Sequence, residues 1–89
     1  MHYPQINLNG TNGKDLRKEY LNAMLALEDA VNAMFQITVH GRDYHMKGQH
    51  VTSEAQHEHS ARIRQIELVK QEITEILLNI EDQLEGRRP

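Results

Sequence analysis

The residues best equipped for chemistry lie together in one stretch, which reads His-Gly-Arg-Asp-Tyr-His-Met-Lys-Gly-Gln-His from position 40 to position 50. Arginine holds an anion through two parallel N–H groups, lysine through a compact charge, and histidine as a hydrogen-bond donor. A tyrosine ring can stack on a base. The candidate ligand-binding residues here are therefore His40, Arg42, Tyr44, His45 and Lys47. The alternative is an ordinary polar loop, in which neighbouring Arg42 and Asp43 only shape the turn.

A second candidate precedes the first predicted helix, in the stretch Asn-Gly-Thr-Asn-Gly-Lys from position 9 to position 14. Backbone amides at a helix N-terminus attract anions, which makes Asn9, Asn12 and Gly13 candidate ligand-binding residues. The spacing is not that of a phosphate-binding P-loop. Turn formation and helix capping by Asn12 explain the same residues equally well.

Metal binding and catalysis receive little support. His40, His45 and His50 could meet with Asp43 around a metal, but their spacing is not diagnostic and the chain has no cysteine. Two serines lie near histidines without a nucleophile elbow or an oxyanion motif around them. We expect a protein that is not an enzyme and that needs neither a metal nor a cofactor.

The elements that position these residues are two long helices in an all-α antiparallel hairpin. Apolar residues recur at 3–4 spacing in both, and 89 residues suffice for one small domain. The segments are an N-terminal arm (1–13), a helix (14–39), a connector (40–52), a helix (53–85) and a tail (86–89). Asn12 is the predicted cap of the first helix, and Ser53 with Gln56 forms a predicted capping box for the second. Ile6 and Leu8 predict an extended arm lying on apolar surface.

The first helix is apolar over most of its circumference, which a hairpin alone cannot cover. Beyond the side facing the second helix, it carries a further apolar strip of Leu21, Leu25, Phe35 and Val39. Such a helix packs against more than one neighbour. We therefore expect a homo-oligomeric helical bundle of two or more copies, the alternative being a monomer whose arm folds back over the first helix.

Composition and charge narrow the class of partner. The net charge is -3 with neutral histidines, which argues against a general nucleic-acid binder. No apolar run approaches the roughly 18–20 residues of a membrane span, and the first residues lack a signal-peptide pattern. The expected location is therefore the cytoplasm, without a membrane partner.

The segments INLNGTNGKDL (6–16) and HGRDYHMKG (40–48), separated by an alanine-rich helix, resemble small open reading frames of bacteriophages and prophages. These look-alikes have no settled activity, so the resemblance implies a phage origin and a host-cell cytoplasm but no catalytic residues. It makes three roles more probable: blocking a host defence protein, sequestering a defence signalling nucleotide, or assisting virion assembly.

Our leading hypothesis is a non-enzymatic binding module that captures a small anionic, nucleotide-like ligand. The alternatives are an inhibitor or adaptor acting on a host protein, and a virion or packaging accessory. The two polar segments of one chain would lie almost 40 Å apart, at about 1.5 Å per helical residue. A site using both would therefore be shared between the arm of one copy and the connector of another.

Overall fold

The chain forms an antiparallel hairpin of two α-helices in the computed structural model, which describes residues 1–6, 12–48 and 50–86. Helix α1 spans Gly13–Gln36 and helix α2 spans Val51–Leu84, with two short 3₁₀ turns, Gly41–Asp43 and His45–Lys47, between them. The described residues contain no strand, which confirms the all-α prediction. The hairpin measures 61 × 20 × 19 Å, so its two ends are far apart.

Helix α1 begins one residue before the predicted start at residue 14 and ends before the predicted end at residue 39. The Asn12 side chain accepts hydrogen bonds from the backbone amides of Lys14 and Asp15, as expected of an N-cap. The helix was expected to continue to residue 39, but Ile37 is already extended. The sequence Ile-Thr-Val from 37 to 39 supplies the reason, because consecutive β-branched residues favour extended backbone.

Helix α2 begins at Val51, two residues before the predicted start at Ser53. The cap position belongs to His50, whose side chain makes no capping hydrogen bond. Gln56, the expected partner of Ser53 in a capping box, instead donates from Nε2 to the carbonyl oxygen of Val39 across the hairpin. At the other end α2 stops at Leu84, and Gly86 adopts the positive φ typical of a helix end.

The core is a thin seam between the helices. The buried apolar side chains of the described residues are Val31, Ile63, Leu77 and Ile80. Several large apolar side chains stay exposed on both helices, and none of the helices in the described ranges is long and apolar enough to cross a membrane.

The N-terminal arm packs on α2. Its residues 1–6 have no regular secondary structure, and Gln83 of α2 holds two of them. Gly13 is buried beside the arm, and a Cβ there would lie 2.6 Å from Leu84 Cδ2 and 3.1 Å from Ile6 Cγ2. The described arm therefore contacts the carboxyl end of α2 and leaves the apolar strip of α1 uncovered.

Candidate functional site

The connector is folded tightly by hydrogen bonds within its own sequence. His40 opens the first 3₁₀ turn, because its Nδ1 accepts from the backbone amide of Arg42 at 3.1 Å. The backbone amide of Lys47 donates to the carbonyl oxygen of Tyr44 at 2.9 Å in the second turn. His45 Nδ1 donates to the carbonyl oxygen of Arg42 at 3.0 Å and so joins the two turns. These bonds fix the backbone from which the Arg42 and His45 side chains project.

An open depression lies between the connector and the first turn of α2. Among the described residues it is lined by Gly41, Arg42, His45, Gly48 and Thr52. Gly48 has a φ of 120°, a conformation that glycine adopts without strain, and a Cβ there would meet nothing within 4 Å. The two glycines therefore keep the rim free of side chains beside a guanidinium and an imidazole.

The first turn of α2 adds a favourable field for anions. The first amides of an α-helix have no carbonyl partner within the helix and carry the positive end of its dipole. His50 leaves them without a side-chain cap, and Thr52 from this turn lines the depression. The positive end of α2 thus lies on the same side of the depression as Thr52.

The charge of the connector is net positive. Arg42 and Lys47 are exposed, and within the described ranges neither lies within ion-pair distance of a carboxylate. The ion pair of the described residues joins Arg17 and Glu81 at the opposite end of the hairpin. Because Arg42 is not neutralised by an ion pair, its N–H groups are available to an anion.

The structure brings together part of the set that was predicted from the connector sequence. Arg42 and His45 both line the depression, whereas Tyr44 is half-buried and outside the described lining. His40 and Lys47 are exposed beside it, and His40 Nδ1 is already engaged as an acceptor. Sequence reasoning missed Thr52, although a threonine in the first turn of the next helix, together with flanking glycines, is the available signal.

Two of the arm residues predicted to bind a ligand, Asn12 and Gly13, make structural contacts. Asn12 Oδ1 is occupied by the amides of α1, and Gly13 is buried against Leu84 and Ile6. Asn9 lies outside the described residues. The 24 residues of α1 separate this end from the connector by about 36 Å at 1.5 Å per residue, so one chain cannot offer both ends to one small ligand.

Among the remaining histidines, His59 makes a structural hydrogen bond between the two helices. His59 Nε2 donates to the carbonyl oxygen of Met34 at 2.8 Å, which ties the last turn of α1 to α2. Within the described ranges, no group of three or more histidine, aspartate or glutamate side chains is placed to hold a metal ion. The proposed meeting of His40, His45 and His50 with Asp43 around a metal therefore has no counterpart there.

Comparison of this chain with known protein families, curated proteins and solved structures finds no match. Its function therefore has to be inferred from the chemistry of its own side chains. The strongest chemical feature is the depression that combines a free guanidinium, an oriented imidazole and the uncapped start of α2.

Proposed function

We propose that this chain is a non-enzymatic binding module, a homo-oligomer that captures a small anionic, nucleotide-like ligand at its connector. The observation that carries the proposal is the placement of Arg42 and His45 on one depression beside the first turn of α2. Arg42 and the first turn of α2 favour an anion, and His45 does so when its ring is protonated.

The proposed ligand group is a phosphate. A guanidinium matches two phosphate oxygens with two parallel N–H groups, which a lysine at the same place could not do. The Thr52 hydroxyl can donate to a third oxygen from the side of α2. A phosphate group therefore matches this set of donors in shape and in number of acceptor oxygens.

His45 contributes through the orientation of its ring. Its Nδ1 carries the hydrogen that the Arg42 carbonyl accepts, so Nε2 is the nitrogen left for the ligand. Nε2 donates to an anion when the ring is protonated and accepts from a ligand hydroxyl when it is neutral. Lys47, exposed on the next turn, adds long-range attraction for the ligand.

The proposed biological role follows from the resemblance of the arm and the His-Gly-Arg-Asp-Tyr turn to phage open reading frames. A phage protein that binds a nucleotide without turning it over lowers the free concentration of that nucleotide in the host cytoplasm. We assign the chain this sequestering role against a host defence signal, with no catalytic step.

The test is a thermal-shift titration at fixed protein concentration. Adenosine, AMP, a cyclic dinucleotide and inorganic phosphate are the probes. A ligand that binds only the folded state stabilises it by RT ln(1 + [L]/Kd), about 2.7 kcal/mol at 100 times Kd. We expect the phosphate-bearing probes to raise Tm, and adenosine to leave it unchanged.

Two arginine variants make the test specific. Arg42→Ala should abolish the ligand-dependent shift, and Arg42→Lys should weaken it because a lysine cannot bind bidentately. Arg64→Ala is the matched control, since Arg64 is also exposed but lies on α2 away from the connector. An equal shift in wild type and Arg42→Ala, or no shift with any phosphate-bearing probe at millimolar concentration, refutes the proposed site.

A further inference from the structure

Helix α1 presents apolar side chains to solvent on a side that α2 does not cover. Leu25 and Phe35 are 46% and 62% exposed, and Leu21 is half-buried one turn before Leu25. Leu21 and Leu25 are four residues apart, so they lie one above the other on the same side of the helix. Burying side chains of this size is worth about 1.5–3 kcal/mol each, which favours a partner on this side.

The exposed strip extends onto α2. Arg17 and Glu81 approach to 4.0 Å, which sets the register of the two antiparallel helices and marks the side on which both residues lie. Leu21 is four residues after Arg17, and Leu78 is three residues before Glu81, so both lie on that same side at a similar height. Leu78 is 56% exposed. The uncovered surface, formed by Leu21, Leu25 and Leu78, therefore bridges both helices.

The described arm does not cover this surface. Gln83 holds Pro4 and Ile6, and Met1 shares an open depression with Leu68 and Glu72 of α2. With the arm in place, Leu25 and Leu78 stay 46% and 56% exposed. The described arm therefore leaves both leucines accessible to a partner.

The charges on α1 match a second copy of the same helix. Lys14 and Lys18 precede the two leucines, whereas Glu28 and Asp29 follow them, and all four charged side chains are exposed. A helix with a basic beginning and an acidic continuation is complementary to itself when a second copy runs in the opposite direction.

We infer that α1 pairs antiparallel with α1 of a second copy, with a two-fold axis at the level of Ala23. Leu21 and Leu25 are each two residues from Ala23, so Leu21 of one copy faces Leu25 of the other. Lys18 and Glu28 are each five residues from it, so Lys18 faces the second copy's Glu28. An isologous contact repeats both pairs on the other side of the axis.

This pairing specifies the oligomer of the proposed function and is independent of anion binding. The axis lies near the middle of α1, so the two connectors project at opposite ends of a four-helix assembly. Both anion sites stay open, and loss of dimerisation would not by itself remove them. The phosphate titration and the assembly experiment therefore test separate proposals, and either one can fail without the other.

The first measurement is the mass of the intact protein by sedimentation and native mass spectrometry at micromolar concentrations. We expect a dimer or an even-numbered assembly built from it. Leu25→Glu should raise the Kd of the dimer on the order of 100-fold, because two leucines are lost from each interface. The side chain is exposed, so the helical circular-dichroism signal should persist.

A charge exchange tests the register. Lys18→Glu and Glu28→Lys each create two repulsive pairs in their own homodimer, while a mixture of the two variants restores both attractive pairs in the heterodimer. We expect the heterodimer to exceed its statistical share of about one half in an exchanged equimolar mixture. Glu72→Lys is the control, with the same charge change as Glu28→Lys at an exposed position on another side of α2. It should mix statistically with wild type.

Three results overturn the inference. A monomeric mass at a protein concentration of about 100 μM would show that a second copy does not cover this surface. A dimer that Leu25→Glu leaves intact places the contact elsewhere. Statistical mixing of the two charge variants excludes the proposed register.

Discussion

Gln83 fixes the N-terminal arm through one amide group, and removing that amide should release the arm. Its Oε1 accepts from the backbone amide of Ile6 at 2.9 Å, and its Nε2 donates to the carbonyl oxygen of Pro4 at 2.8 Å. The same Nε2 donates to Asn79 Oδ1 at 2.7 Å, which orients the group. Gln83→Met removes all three bonds while keeping side-chain length and helix propensity.

The expected loss follows from the two bonds that reach the arm. Each contributes about 0.5–1.5 kcal/mol net, so docking should weaken by about 2 kcal/mol. A change of 1.4 kcal/mol is a factor of ten in an equilibrium, so the open population should rise roughly 10- to 100-fold. The helices keep their own contacts, and the loss should be local.

Amide hydrogen exchange measures this opening directly. The Ile6 amide should exchange roughly 10- to 100-fold faster in Gln83→Met than in wild type, with little change for amides in the middle of α2. Gln65→Met is the matched control, because Gln65 is an exposed glutamine of α2 several turns before Gln83, which holds Ile6. An unchanged Ile6 exchange rate in Gln83→Met would show that the glutamine amide does not hold the arm.

Four further outcomes are expected from denaturation experiments. Ile80→Ala should lower the free energy of unfolding by about 2–5 kcal/mol, since Ile80 is fully buried, whereas Leu68→Ala at an exposed position should cost far less. His59→Ala should cost about 1 kcal/mol through loss of its bond to α1, and His57→Ala, two residues away and exposed, should be close to neutral. Asn12→Ala should cost about 1 kcal/mol in urea unfolding, while Asn12→Asp keeps the capping oxygen and should not. A chelator should leave Tm unchanged, and a drop of several degrees would indicate a structural metal.

The helices were predictable because their signal is periodic and long. Apolar 3–4 spacing marks both helices, and the Asn12 cap sets the start of α1. The end of α1 and the start of α2 depend on local interactions that the spacing of apolar residues does not show. The β-branched residues after Gln36 end α1 early, and Gln56 bonds across the hairpin to Val39 instead of capping its own helix.

The candidate site was predictable only in its charged part. Arg42 and His45 attract attention by residue type, because their side chains bind anions wherever they are exposed. Thr52 and Gly48 depend on how the chain turns between the 3₁₀ turns and α2, which a single sequence does not show. Gly13 illustrates the reverse case: a glycine before a helix suggests an anion site, and the sequence does not show that a Cβ at this position would meet Leu84 and Ile6.

The connector rests on a more rigid base than an exposed loop usually has. Two bonds cross the hairpin just below it, from His59 to Met34 and from Gln56 to Val39. Both donors lie on α2, and the two carbonyl acceptors lie in the last turn of α1 and in the extended residues after it. These bonds hold the extended residues after α1 against α2, and Thr52 in the first turn of α2 lines the depression. Arg42 and Thr52 therefore line the depression from two elements that are already tied together, and a ligand between them need not order the hairpin to bind.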